Sequence, residues 1–174
     1  MRGTSAIRAV CFDLDGTMFN TEDMYWDVGE RLLAPRGKQV SRELLDQMMG
    51  RPSRVSLQIM IDWHGLDATV PQLQQETKEI FATLLGERLA PMPGLLALLD
   101  SLESAGLPKG IATSSGRAYL EDVLGRFKLA PRFLFALTGD DVRDGKPHPE
   151  IYLAAAERFG IAPAEMLVLE DSEN

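Results

Sequence analysis

The chain has one cysteine, Cys11, and two histidines, His64 and His148, in 174 residues. A single cysteine excludes an intrachain disulfide, and a reducing compartment is the simplest fit. Set inside "RAVCFD", Cys11 reads as a small buried hydrophobe rather than a nucleophile. Without a His/Cys cluster the chain offers nothing of the kind a zinc site takes. Basic residues are scarce as well: 18 Lys and Arg against 26 Asp and Glu give a formal net charge of -8. That balance argues against a nucleic-acid or anionic-membrane partner, so any anionic ligand must be held by local charge. No apolar run approaches membrane-spanning length, and Met1 to Ile7 is too short and too polar for a signal peptide. A cytoplasmic monomer is the expectation.

What the chain does have is core material, 45% hydrophobic residues with 25% charged, and a clear change of texture along its length. Arg8 to Asp13 is an apolar run of the kind that forms a buried parallel strand. Met24 to Leu33, Arg42 to Met49, Val55 to Trp63 and Leu73 to Leu85 then carry apolar residues at helical spacing. Breaks fall at Pro35/Gly37, Gly50/Pro52 and Gly65, and Pro71 opens the last of these helices. Beyond "APMPG" strand and helix alternate. Leu95 to Leu102 is a helix, "KGIATSS" a strand, Ala118 to Phe127 a helix and Phe133 to Thr138 a strand. Ile151 to Phe159 is a helix and "MLVLED" the final strand. Such alternation implies parallel strands joined by right-handed crossovers, an α/β doubly wound sheet. The first crossover is far longer than a crossover needs. Residues 18–89 are therefore expected to form a helical domain inserted into a core made of 1–17 and 90–174.

Ligands of an open parallel sheet bind beyond the carboxyl ends of its strands. The first strand ends in Asp13-Leu14-Asp15, the second in Thr113-Ser114-Ser115, the last in Glu170-Asp171-Ser172, and Lys146 precedes the helix opened by Pro149. Each has an ordinary alternative: a turn, a helix cap, a loop lysine, a solvated strand end. Jointly they place carboxylates, hydroxyls and one ammonium on a single rim. All-oxygen ligands with room for water and phosphate suit Mg2+.

"DLDGT", a Thr-Ser-Ser after a strand, "GKPHPEIY" and "LEDS" resemble the four ordered motifs of the haloacid dehalogenase superfamily. The branch is that of phosphoglycolate phosphatases and β-phosphoglucomutases, with a helical cap after the first motif. The resemblance implies an aspartyl-phosphate on Asp13 and a general acid and base at Asp15, which gives the metal only its backbone carbonyl. It implies Thr113 and Ser114 on the phosphoryl oxygens, Lys146 as charge balance, and Mg2+ held by Asp13, Asp15, Glu170 and Asp171. It also implies a cap that closes over the cleft. Arg54, and less directly Arg51, would meet an anionic group on the substrate, a small phosphorylated metabolite such as a sugar phosphate.

Asp15 separates the chain from the true dehalogenases, and the insert offers no lysine where phosphonate-cleaving relatives form a Schiff base. The cap histidine of the mutases would fall near Tyr25, so water is the expected acceptor. A mutase-like phosphotransferase and an inactive, non-catalytic module are the alternatives. Tyr25, Trp26 and Trp63 read as helix-packing residues. Relatives continue past this point with a helix, a strand and a further helix, so a truncated and less stable chain is expected.

Overall fold

The computed structural model describes residues 6–48, 51 and 53–172. In chain order its main elements are β1 (Ala9–Phe12), α1 (Thr21–Leu33), α2 (Arg42–Met48), α3 (Ser53–His64), α4 (Val70–Arg88) and α5 (Leu95–Ser104). They continue with β2 (Lys109–Ala112), α6 (Arg117–Phe127), β3 (Ala136–Leu137), α7 (Glu150–Phe159) and β4 (Met166–Leu169). The end of the helix expected to reach Met49 and the break at Gly50/Pro52 lie outside the described residues. Among the described residues no helix is long and apolar enough to cross a membrane.

The chain divides into two compact units, one of Met1–Asn20 with Ala90–Asn174 and one of Thr21–Leu89. The first holds the expected parallel sheet, in the order β3-β2-β1-β4. β1 is one of its two inner strands, and every residue from Ala9 to Phe12 is at most 1% exposed. That explains why its sequence is apolar without alternation. Cys11, Ala112 and Leu137, one from each of three strands, meet Ile151 and Ala155 of α7 in one buried cluster. Burying side chains of this size contributes about 1.5–3 kcal/mol for each of the larger ones. Burial pushes the Cys11 thiol up to about 12, so it is an inert packing group.

Gly110 in β2 is needed for this packing. A Cβ there would stand 2.7 Å from the Phe135 ring and 2.9 Å from that of Phe159. Those two rings lie 4.6 Å apart, centroid to centroid.

β3 is shorter than the Phe133 to Thr138 stretch expected. Leu134 N–H and Phe135 C=O already bond to β2, so pairing begins early. It stops at Thr138, whose N–H and hydroxyl both donate to the Asp141 carboxylate at 2.8 Å. The side chain of a later turn has replaced the next ladder bond.

The boundary expected at Met18 moves to Thr21. Met92 N–H donates to Met18 C=O at 2.8 Å and Asn20 N–H to Ala90 C=O at 3.2 Å. The Asn20 side chain closes the pair by accepting from Ala90 N–H at 2.8 Å. The two connections thus pair with each other, and Met18 and Phe19 are wholly buried.

The second unit consists of α1 to α4 and buries Met24, Leu32, Leu44, Met60, Leu73 and Leu84. α4 begins at Val70, one residue before Pro71, because Thr69 and Gln72 form a capping box that spans the proline. Arg36 grips Glu76 with two bonds of 2.7 and 2.9 Å and also donates to Leu32 C=O. Tyr25 stacks on Phe81 with ring centroids 5.7 Å apart, but Tyr25, Trp26 and Trp63, expected as helix-packing residues, are all exposed.

Candidate active site

β1 leaves the sheet at Asp13, whose N–H still donates to Leu169 C=O at 2.9 Å, while Thr113 N–H donates to Leu137 C=O at 3.0 Å. The strand order therefore sets Thr113, Asp13 and Glu170 side by side at the carboxyl ends. Asp13 and Thr113 are both buried. After Asp15 the chain reverses at Gly16, which has a φ of 71° and donates its N–H to Phe19 C=O. A side chain at that φ would be strained.

Asp13 and Glu170 share one cation. Lys146 Nζ is 2.6 Å from Asp13 Oδ1 and 2.6 Å from Glu170 Oε2. Tyr152 on α7 donates its hydroxyl to the same Glu170 oxygen, and its ring lies 5.0 Å from the ammonium. Burial pushes the Asp13 carboxyl up to about 6, with Lys146 opposing the shift. Burial works against the Lys146 charge too, but Asp13 and Glu170 outweigh it and hold the ammonium above the ordinary lysine range. Burial likewise acts against ionised Glu170, and its bonds from Lys146 and Tyr152 prevail, so its carboxyl is lowered.

Asp15 faces other partners. Ser115 Oγ donates to its Oδ2 at 2.6 Å and Tyr119 OH to its Oδ1 at 2.8 Å. Ser115 N–H in turn donates to Thr113 Oγ1 at 3.1 Å. Ser114 is exposed beside them, and its carbonyl presses on the next loop: a Cβ at Gly139 would stand 2.5 Å from it. The start of α6 is fixed from a distance, because Arg117 N–H donates to the Asp140 carboxylate at 2.9 Å.

One carboxylate oxygen from each of Asp13, Glu170 and Asp171 lies within 4.8 Å of the others. Three carboxylates with one ammonium leave an excess of negative charge that a hard divalent cation would relieve, and every donor is oxygen. The residues fit Mg2+. Asp15 contributes no side-chain oxygen to this group. Asp171 is exposed and accepts from Thr17 Oγ1 at 3.4 Å.

Asp13, Asp15, Thr113, Lys146, Glu170 and Asp171 thus stand at one end of the sheet in the first unit. Arg54 is exposed in the first turn of α3, in the other unit. The sequence assigns no role to Tyr119, and Thr17 and Tyr152 lie within "DLDGT" and "GKPHPEIY" without roles of their own. Tyr119 is the third residue of α6, while Ser115 precedes its N-cap Gly116, so no helical periodicity links the two. Tyr152 follows Pro149 in the first turn of the helix that Lys146 precedes.

The family model for haloacid dehalogenase-like hydrolases matches residues 10–174. A phosphorylated carbohydrates phosphatase of Thermotoga maritima is 32% identical over 172 residues, covering 97% of this chain and 78% of that protein. A phosphoglycolate phosphatase of Photorhabdus laumondii is 29% identical over 175 residues, covering 97% of this chain and 74% of its own. Among solved structures, a Thermotoga maritima protein provisionally assigned as a β-phosphoglucomutase aligns with a TM-score of 0.84 at 31% identity. That alignment covers 95% of this chain and 77% of the other. The chain belongs to the haloacid dehalogenase-like hydrolases, as a phosphoric monoester hydrolase of that family.

Proposed function

We propose that the chain is a Mg2+-dependent phosphatase of a small phosphorylated metabolite and works through an aspartyl-phosphate on Asp13. The observation that carries this reading is the bridging of Asp13 and Glu170 by Lys146 at 2.6 Å each, with Asp171 in reach. An ammonium between two carboxylates at a strand end suits a site that must hold a phosphoryl group beside a nucleophilic anion. A phosphorylated carbohydrate is the favoured substrate class, from the name of the Thermotoga maritima phosphatase that is 32% identical.

In the first half-reaction an Asp13 oxygen bonds to phosphorus and the ester P–O bond breaks. Asp15 gives its proton to the departing oxygen. In the second half-reaction water bonds to phosphorus, Asp15 takes the water proton, and the Asp13–phosphorus bond breaks to restore the carboxylate. Thr113 and Ser114 donate to phosphoryl oxygens, Lys146 offsets their charge, and Arg54 is the substrate contact proposed from the helical unit. The carboxylates of Asp13, Glu170 and Asp171 and the backbone carbonyl of Asp15 would hold Mg2+. Bound there, the ion supplies positive charge against the phosphoryl oxygens.

Phosphate release from an aryl phosphate, with and without Mg2+, tests the reading, and Asp13→Asn is the control. Mg2+-dependent release that vanishes in Asp13→Asn, together with an acid-stable, hydroxylamine-sensitive phosphoenzyme in the unchanged chain, is the expected result. Substantial turnover by Asp13→Asn would overturn the covalent route. A panel of phosphorylated carbohydrates then names the substrate.

A further inference from the structure

Both oxygens of Asp15 are taken by hydroxyl donors from one place, the chain entering α6. Ser115 donates to Oδ2 at 2.6 Å and Tyr119 to Oδ1 at 2.8 Å. Two contacts on the two oxygens fix both the position and the plane of the carboxylate. Each oxygen keeps a further lone pair for a water or a leaving oxygen. The donors are firmly mounted. Ser115 N–H is tied to Thr113 Oγ1, and the start of α6 is tied through Arg117 N–H to Asp140. Asp13, two residues away, is claimed instead by Lys146. The two aspartates are therefore held by different elements.

We propose that Tyr119, with Ser115, is a positioning residue that aims Asp15 for proton transfer. This rests on the acid–base role given to Asp15 above. When water bonds to phosphorus, its proton passes to Asp15 as the Asp13–phosphorus bond breaks and its electron pair returns to Asp13. In the first half-reaction the proton travels the other way, from Asp15 to the departing oxygen. An aspartate free to rotate would spend much of its time out of reach of either oxygen.

Tyr119→Phe keeps the ring and removes the donor. With an aryl phosphate at saturating Mg2+, kcat should fall about tenfold for loss of one charge-assisted hydrogen bond, with KM changed less than about twofold. In Asp15→Asn, with phosphate release followed over hours, adding Tyr119→Phe should cost less than about twofold, because nothing remains to be aimed. Equal losses in the two backgrounds would make Tyr119 a general structural residue and overturn the proposal. An unchanged kcat in Tyr119→Phe alone would overturn it too. Full activity in Asp15→Asn by itself would instead overturn the acid–base reading, so the two failures are distinguishable. If Tyr119→Phe does not fold, Ser115→Ala takes its place with the same expected pattern, and Ser115→Thr, which keeps a hydroxyl, should hold kcat within about twofold.

Discussion

Lys146 reaches across 133 residues of sequence to place its ammonium 2.6 Å from the Asp13 carboxylate. The two side chains are 9% and 8% exposed, so neither charge can be compensated by bulk water. Lys146→Met should leave Asp13 and Glu170 facing each other without their cation. The expected result is a loss of stability of about 3 kcal/mol, as for a broken buried pair, with aryl phosphate turnover reduced at least about a hundredfold. Lys146→Arg should not restore turnover, since a planar fork cannot replace a point charge shared by two carboxylates. Denaturant unfolding and steady-state kinetics measure the two effects, and near-normal kcat in Lys146→Met would remove the lysine from the mechanism.

Asp171 is the exposed member of the three-carboxylate group. Asp171→Asn should weaken Mg2+ binding by about tenfold or more while leaving Asp13 able to be phosphorylated at saturating Mg2+. Titrating Mg2+ against turnover gives the apparent affinity, and acid quenching gives the phosphoenzyme. An unchanged Mg2+ midpoint would take Asp171 out of the proposed ligand set.

Gly139→Ala tests the contact between the two loops at the sheet's carboxyl edge. Its Cβ would stand 2.5 Å from Ser114 C=O, a distance that backbone must yield to. The expected cost is about 1–3 kcal/mol, as for overpacking elsewhere, with kcat reduced because the Thr113 to Ser115 segment shifts. Thermal unfolding should register the change directly. Equal stability of Gly139→Ala and the unchanged chain would mean that the loop relaxes without strain.

Acid stability should depend on Glu103, away from the site. Hydrogen bonds from Arg132 and from buried Lys109 lower its carboxyl from the ordinary value of 4.5 to about 2. A lowered folded-state pKa stabilises the fold above the unfolded value, and the contribution is lost as pH falls through the folded one. Stability should therefore decline between about pH 4.5 and about pH 2, and Glu103→Gln should flatten that part of the curve. Urea midpoints at pH 7, 4.5 and 3 decide it: parallel curves for the two proteins would show that Glu103 titrates alike folded and unfolded.

Much of the fold and of the candidate site could be read along the chain, because those features are local. The unalternating apolar run of Ala9–Phe12 marks a strand covered on both faces, and its end in Asp13-Leu14-Asp15 follows in the same segment. Helical spacing marks α1 to α7, and Gly16 and Pro149 stand where a turn or a helix start needs them. Once strands alternate with helices, parallel order brings their carboxyl ends together, so Thr113, Lys146 and Glu170 could be set on one rim with Asp13. What only the tertiary structure decided is carried by side chains that reach other segments. Asp140 caps α6, Asn20 joins its connection to Ala90, Tyr152 braces Glu170, and Ser115 with Tyr119 grips Asp15. Periodicity records which face of an element is buried. It carries no mark of which distant hydroxyl or carboxylate will meet that element, because such a bond forms only after apolar burial has fixed the backbones in place.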